Sequence, residues 1–343
     1  MSLRVTNDPE ACDHGQWARF VREHPNGNIF QTPEMYRVFS ATKNYEPIFI
    51  ACQEVDSLLG VLLAVVQKEG PGVLGRLSAR SIIWGGPLVL DEDTTVLDTI
   101  LTEYDSIVRK KSIYTQVRNL FPMERQRECL QKQGYSFEDH LDILIDLDRP
   151  VESLWKSLHP TRRKQIERGY RRGVTFSYHR EPSPEMISAC YDLIATLYER
   201  IKLPFPKKDF FENSVRELMD RIGFFVLKYK GRIIGCRLAL VYGRLIYDWY
   251  AGSDVNSLDK YPNDILPWEV MKWGAENGYA VFDFGGAGKP NEQYGVRDYK
   301  KKFGGSQVNF GRFENVHKPL RMRVAKAGLW FWKRIRGLRR CGN

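Results

Sequence analysis

Two stretches of the chain share one rhythm of apolar and polar positions. Pro47–Cys52 and Leu58–Val66 are near-continuous apolar runs on either side of Glu54-Val55-Asp56-Ser57. Phe224–Tyr229 and Ile233–Val241 flank Lys230-Gly231-Arg232 in the same manner. Apolar runs of this length, bounded by turn residues, predict strands joined as hairpins. A third strand follows each pair, at Ile82–Pro87 and at Leu245–Gly252. The spacing then becomes helical. Val96, Leu97, Ile100, Leu101, Tyr104 and Ile107 recur within Asp93–Lys110, and Leu266, Val270, Met271 and Trp273 within Ile265–Asn277, where Gly278 supplies a stop. A last strand closes each series, at Tyr114–Val117 and Ala280–Phe284.

The order hairpin, strand, helix, strand therefore occurs twice. Leu58-Leu59-Gly60-Val61 parallels Ile233-Ile234-Gly235-Cys236, and the separation of Gly60 from Gly235, 175 residues, is that of a domain. The pattern predicts an α/β protein of mixed sheets in tandem, with an N-terminal domain over 1–150, a C-terminal domain over 151–316, and a helical region Val151–Gly173 linking the halves. A length of 343 residues fits two domains.

Charge adds a third segment. The chain carries +10, but His317–Asn343 holds nine Lys/Arg and no Asp or Glu, so the preceding 316 residues carry only +1. Helical spacing puts Leu320, Val324, Ala327, Phe331, Ile335 and Leu338 on one stripe, with Trp330 and Trp332 beside it. This basic amphipathic helix reads as an interfacial membrane helix, or as one that packs on the protein and offers its cations to tRNA. The six cysteines are scattered without zinc spacing and read as reduced core thiols; the histidines form no metal-binding pair. Acidic residues at 8, 10, 13 and 23 exclude an ordinary secretory signal, and the longest apolar run, Leu58–Val66, is short of a membrane span. The expectation is a cytoplasmic protein, peripheral at the inner face of the membrane if the tail binds there.

Three constellations carry candidate chemistry. The segment Thr161–Val174 sets six Lys/Arg against one Glu, with Arg163, Glu167 and Arg171 on one helical face. It reads as a solvated face or as a diphosphate site, for which arginine forks are suited. Asp283-Phe284-Gly285-Gly286-Ala287-Gly288 ends a strand, where glycines let backbone N–H groups approach an anion. Tyr294–Gly305 follows, rich in aromatic, cationic and glycine residues. A lysine beside aromatics there is a candidate oxyanion donor, against the alternative of a basic turn anchored by Phe303.

These segments resemble the FemAB-type aminoacyltransferases of peptidoglycan assembly, built from two GNAT-type acyltransferase domains. The family's RxxI…KxGV is met by Arg163, Ile166, Arg171 in place of lysine, Gly173 and Val174. Its aromatic-Asp-Phe-Gly-Gly strand end is met by Phe282–Gly286, and its FKxxFGG by Tyr299–Gly305 with tyrosine first. Tyr250-Ala251-Gly252-Ser253 with Tyr261–Trp268, and Phe30-Gln31-Thr32, complete the likeness across about residues 28–315. The resemblance implies two tandem GNAT-like domains and transfer of an aminoacyl group from aminoacyl-tRNA to an amine of a murein precursor, lipid-linked or nucleotide-linked. No metal and no bound cofactor are implied. It implies Lys300 and Tyr299 as catalytic residues, and Gln31, Arg163, Arg171, Tyr250 and Asp283 as substrate-binding ones. The long helical-hairpin arm of several members has no counterpart, and no motif assigns a general base. An acyl-CoA-dependent N-acyltransferase acting on an envelope polysaccharide or lipid-linked sugar is the alternative, although Asp254–Ile265 lacks the glycines of a pyrophosphate loop. A non-catalytic RNA- or membrane-binding relative is the third.

Overall fold

A computed structural model describes residues 3–68 and 78–323. The chain divides into two compact units: one runs through Glu138 and resumes at Gly311, and the other is Asp139–Phe310. The first contributes strands β1 (Leu3–Thr6), β2 (Tyr45–Glu54), β3 (Ser57–Gln67), β4 (Arg80–Trp84), β5 (Leu88–Val89), β6 (Tyr114–Arg118) and β7 (Ser136–Glu138). The second contributes β8 (Leu141–Asp146), β9 (Val174–His179), β10 (Ile222–Tyr229), β11 (Arg232–Tyr242), β12 (Leu245–Ser253), β13 (Val281–Gly286) and β14 (Ser306–Asn309); β15 (Arg312–Val316) returns to the first unit.

The two sheets have one plan. The main path of the first is β1-β2-β3-β4-β6-β15-β7, and the second is β9-β10-β11-β12-β13-β8-β14. Among the described residues each has a single parallel pair, β4 with β6 and β12 with β13, and the other pairs are antiparallel. A parallel pair needs a crossover, and in both units it includes the expected helix. The helices are α1 (His14–Glu23), α2 (Pro33–Ala41), α3 (Thr94–Lys111), α4 (Arg127–Lys132), α5 (Val151–Ser157), α6 (Pro160–Arg171), α7 (Pro184–Ile201), α8 (Lys208–Leu218), α9 (Pro262–Glu276) and α10 (Gly295–Lys301).

Helix α3 starts where the Asp93 carboxylate accepts from the N–H groups of Thr95 and Val96, and its stripe of Val96, Leu97, Ile100, Leu101 and Tyr104 is buried. Helix α9 is buried on most of its surface, through Ile265, Leu266, Trp268, Val270 and Met271, against β10 to β13. Gly278, at φ +78°, follows it in the left-handed conformation that ends a helix.

The boundaries differ from those expected at 150 and 316. Leu141–Asp146 pairs with β13 and β14, so the second unit begins ahead of it. Arg312–Val316 pairs with β6 and β7, so it belongs to the first. Residues 151–173 are no linker: they form α5 and α6 within the second unit, where Leu154, Leu158 and Ile166 join the core. The basic segment also starts later than His317, whose backbone N–H and that of Lys318 bond the Ile113 carbonyl. A helical turn begins at Pro319, and the stripe from Val324 onward, with Cys341, lies outside the described residues. The other five cysteines are buried and free.

Candidate functional site

The second sheet opens at one point. β12 and β13 pair only over Leu245–Tyr247 against Val281–Asp283, and both strands continue beyond without pairing to each other. Backbone carbonyls in such a gap lack ladder partners. Helix α10 supplies one: Lys300 Nζ donates to the Phe284 carbonyl at 2.5 Å and to the Gly286 carbonyl at 3.0 Å, and lies 5.2 Å from the centre of the Phe284 ring. An ammonium has three donors, and no further acceptor meets Lys300 among the described residues. Burial lowers its pKa from the ordinary lysine value; Asp248, Asp283 and Asp142 oppose that shift and Arg237 adds to it.

Asp283 lies beside this gap, buried, with its carboxylate accepting from the Gly285 N–H at 2.8 Å. Burial, and then the nearby Asp142, push its pKa up to about 7. Gly285 adopts φ +76°, the conformation that this short loop-back needs. The glycine run therefore does not present a free cradle of N–H groups. That of Gly285 is held by Asp283, and that of Ala287 bonds the Leu141 carbonyl at 2.6 Å. Arg297 braces the loop that follows, donating to the carbonyls of Ala287, Lys289, Pro290 and Glu292.

Tyr299, next to Lys300, directs its hydroxyl elsewhere, donating to the Asn263 carbonyl at 2.5 Å. Pro267 stands one helical turn beyond Asn263 in α9 and has no N–H to give that oxygen. The phenol replaces the missing helical hydrogen bond, and its pKa is raised, chiefly by burial. Arg162 pairs with Asp264 in the first turn of α9, with its guanidinium 4.9 Å from the Tyr299 ring centre and 5.5 Å from that of Phe303.

The other expected residues take different places. Arg163 donates to the Lys156 carbonyl at 2.8 Å and the Leu158 carbonyl at 2.9 Å, with a longer contact to Trp155, so it caps the open end of α5 rather than facing a diphosphate. Arg171 is exposed near the C-terminal end of α6. Tyr250 sits in an aromatic cluster with Trp249, Phe211, Phe205 and Tyr198, at 4.9, 5.1, 5.7 and 6.0 Å between ring centres. Gln31 is fully buried in the first unit. Its amide donates to the carbonyls of Leu63 and Trp84, at 3.1 and 2.8 Å, and accepts from the Leu63 N–H at 2.7 Å. It completes the sheet between β3 and β4, which occupies both of its N–H groups. Lys300, Tyr299 and Asp283 are thus brought together; Gln31, Arg163 and Arg171 are not among them.

Two further residues belong to this neighbourhood. Arg237 on β11 and Asp248 on β12 form an ion pair whose side chains are only 6% and 12% exposed. Arg237 lies 5.2 Å from the centre of the same Phe284 ring that Lys300 faces. The signal for both was a charge inside an apolar strand, where an unpaired one is too costly to keep. Among the described residues, no group of three or more His, Cys, Asp and Glu is placed to hold a metal ion, and no helix is long and apolar enough to cross a membrane.

Comparison with known proteins fits this geometry. Residues 160–301, from the start of α6 to the end of α10, match the acetyltransferase (GNAT) domain model. The chain is 22% identical over 308 residues to the UDP-N-acetylmuramoylpentapeptide-lysine N(6)-alanyltransferase of Weissella viridescens, across 83% of this chain and 87% of that protein. It is 26% identical over 182 residues to a lipid II:glycine glycyltransferase of Staphylococcus epidermidis, across 46% and 44% respectively. The fold is that of the crystal structure of FemX, with a TM-score of 0.70 at 16% identity over 94% of this chain and all of that one. In its motifs, its duplicated sheets and these likenesses, the chain is similar to the FemAB-type aminoacyltransferases, and it has the GNAT acyltransferase fold in tandem.

Proposed function

We propose that this protein transfers an aminoacyl group from aminoacyl-tRNA to an amine on a murein-type cell-wall precursor. The observation that carries the reading is Lys300, held at the gap between β12 and β13 by two carbonyls with one donor left over. In the transfer, the acceptor nitrogen attacks the acyl carbon, a C–N bond forms and the ester C–O bond breaks. The amine proton goes to the leaving ribose oxygen. Negative charge gathers on the acyl oxygen in between, and a preorganised donor there lowers the barrier by a few kcal/mol. Asp283 is sealed in and bonded to Gly285, so it is not cast as the base.

The start of α9 supports tRNA over acyl-CoA as donor. A pyrophosphate seeks free N–H groups and positive charge at a helix N-terminus. Here Pro262 has no N–H, those of Asp264 and Ile265 bond the Tyr261 carbonyl, and the buried Asp264 carboxylate adds negative charge offset by Arg162. Acceptors of the relatives' kind are lipid-linked or nucleotide-linked, and the basic segment at 320–340 suits a peripheral contact with anionic membrane at the cytoplasmic face.

The deciding experiment offers the full-length protein labelled aminoacyl-tRNA pools and labelled acetyl-CoA in parallel, with total cell-envelope precursors as acceptor. Label from aminoacyl-tRNA in the precursor fraction is expected. Label from acetyl-CoA alone overturns the reading.

A further inference from the structure

The Lys300 position has a cost. Buried away from water, an ammonium tends to lose its proton, and the aromatic ring and two carbonyls beside it offset that only in part. A neutral amine has two N–H groups, which the carbonyls of Phe284 and Gly286 would take, and its lone pair would then meet any oxyanion. Lys300 can serve as a third-position donor only while it is charged.

Three carboxylates are near enough to act on that charge: Asp283 on β13, Asp142 on β8 and Asp248 on β12. Asp283 accepts from a backbone N–H and, buried near Asp142, holds its own proton up to about pH 7, which weakens it as a counter-ion. Asp248 differs. It is paired with an arginine, which keeps its charge at any ordinary pH. Its Oδ1 has no hydrogen-bond partner, and neither has Arg237 Nε, although both are buried.

The backbone explains how Asp248 reaches this place. Ala239 stands opposite Asp248, while Leu238 stands opposite Tyr250, so Trp249 is an extra residue in β12. Such a bulge breaks the alternation of faces. Asp248 is left on the face of Ala239 and Arg237, and Tyr250 on that of Leu238, toward the aromatic cluster.

We propose that Asp248, turned onto this face by the Trp249 bulge and clamped by Arg237, is a positioning residue that keeps Lys300 charged at the strand gap. The proposal rests on the reading that Lys300 meets the acyl oxygen. Around the ammonium, Asp248, Asp283 and Asp142 favour charge and Arg237 opposes it, with the phenol of Tyr299 on the same helix. The two members of the pair therefore act on Lys300 with opposite signs.

The test follows Lys300 directly. In full-length protein with lysines labelled by carbon-13 at Cε, the Lys300 signal is identified by its loss in Lys300→Arg and titrated by NMR. Asp248→Asn is expected to move the midpoint down by about one pH unit or more, the scale of a nearby opposite charge. Arg237→Gln is expected to move it up, and Asp248→Glu to leave it near the native value. Should Asp248→Asn fail to fold, the upward shift in Arg237→Gln tests the same coupling. Midpoints that stay fixed, or that move in one direction in both variants, overturn the proposal. The alkaline limb of turnover should follow the midpoint. If the midpoints move as expected and that limb does not, the counter-ion role stands and the acyl-oxygen role of Lys300 falls.

Discussion

Tyr299 donates its phenolic hydrogen to the carbonyl oxygen of Asn263, which Pro267 leaves without a partner in its own helix. The hydroxyl is thereby taken by the scaffold. Tyr299→Phe removes it with little change of volume, so the expected outcome is a loss of about 1 kcal/mol of stability in urea melts with most turnover kept. A fall in turnover as large as that of a Lys300 variant, with the melt unchanged, would place the phenol in the chemistry instead.

Lys300 bears the opposite expectation. Lys300→Ala deletes the donor that the ammonium holds free at the gap, so turnover should fall at least about tenfold. The circular-dichroism spectrum should stay native. Turnover equal to the native protein's would remove Lys300 from the reaction.

Gln31 stands where a strand residue would. Its side-chain amide donates to and accepts from the backbone of Leu63, and donates to Trp84 as well. Gln31→Leu strands one N–H and two carbonyls in the core at about 1–3 kcal/mol each. A stability loss of about 3 kcal/mol or more is expected from the urea midpoint. A raised Michaelis constant with native stability would show a substrate contact instead.

His317 adds a pH dependence to the first unit. Its ring bonds the Thr115 hydroxyl at 2.8 Å, which in turn meets Tyr104, and burial lowers its pKa to about 4. The unfolded chain takes up the proton near pH 6.5 and the folded chain only near 4. Stability from this group is therefore full above about pH 6.5, declines as the pH falls between the two values, and is lost below about 4. The loss between about pH 7 and pH 5 should be smaller in His317→Gln than in the native protein, as read by urea unfolding. Equal losses would assign the acid sensitivity to other groups.

The sequence revealed the duplicated part of the fold because both hairpins are buried and read as apolar runs, and α3 carries an unbroken stripe. It did not reveal which sheet Leu141–Asp146 and Arg312–Val316 join. Those strands are short, and their partners β13 and β6 lie far away in the chain, so no local signal exists. Motif singled out Lys300 and Asp283, and the structure puts both beside the gap between β12 and β13. Arg162 and Arg163 were not separable: which of two adjacent cations faces Asp264 depends on where α5 ends, a matter of backbone path. Motif drew attention to Tyr299 but not to its bond with Asn263, since that link follows from a proline thirty-two positions earlier. Arg237 and Asp248 were visible as charges within apolar strands, and only the bulge at Trp249 puts them on one face.

The place of β15 bears on how the molecule is made. It lies between β6 and β7, yet it comes from residues 312–316. On the ribosome, the second unit, contiguous in sequence, has all its strands once Phe310 has emerged. The first unit, although synthesised earlier, still lacks an interior strand at that moment. The usual order of N-terminal domain first is thus inverted by topology. Until Arg312–Val316 has emerged, β6 and β7 each lack the strand that joins them, and unpaired strand edges of that kind are the ones most exposed to wrong pairing.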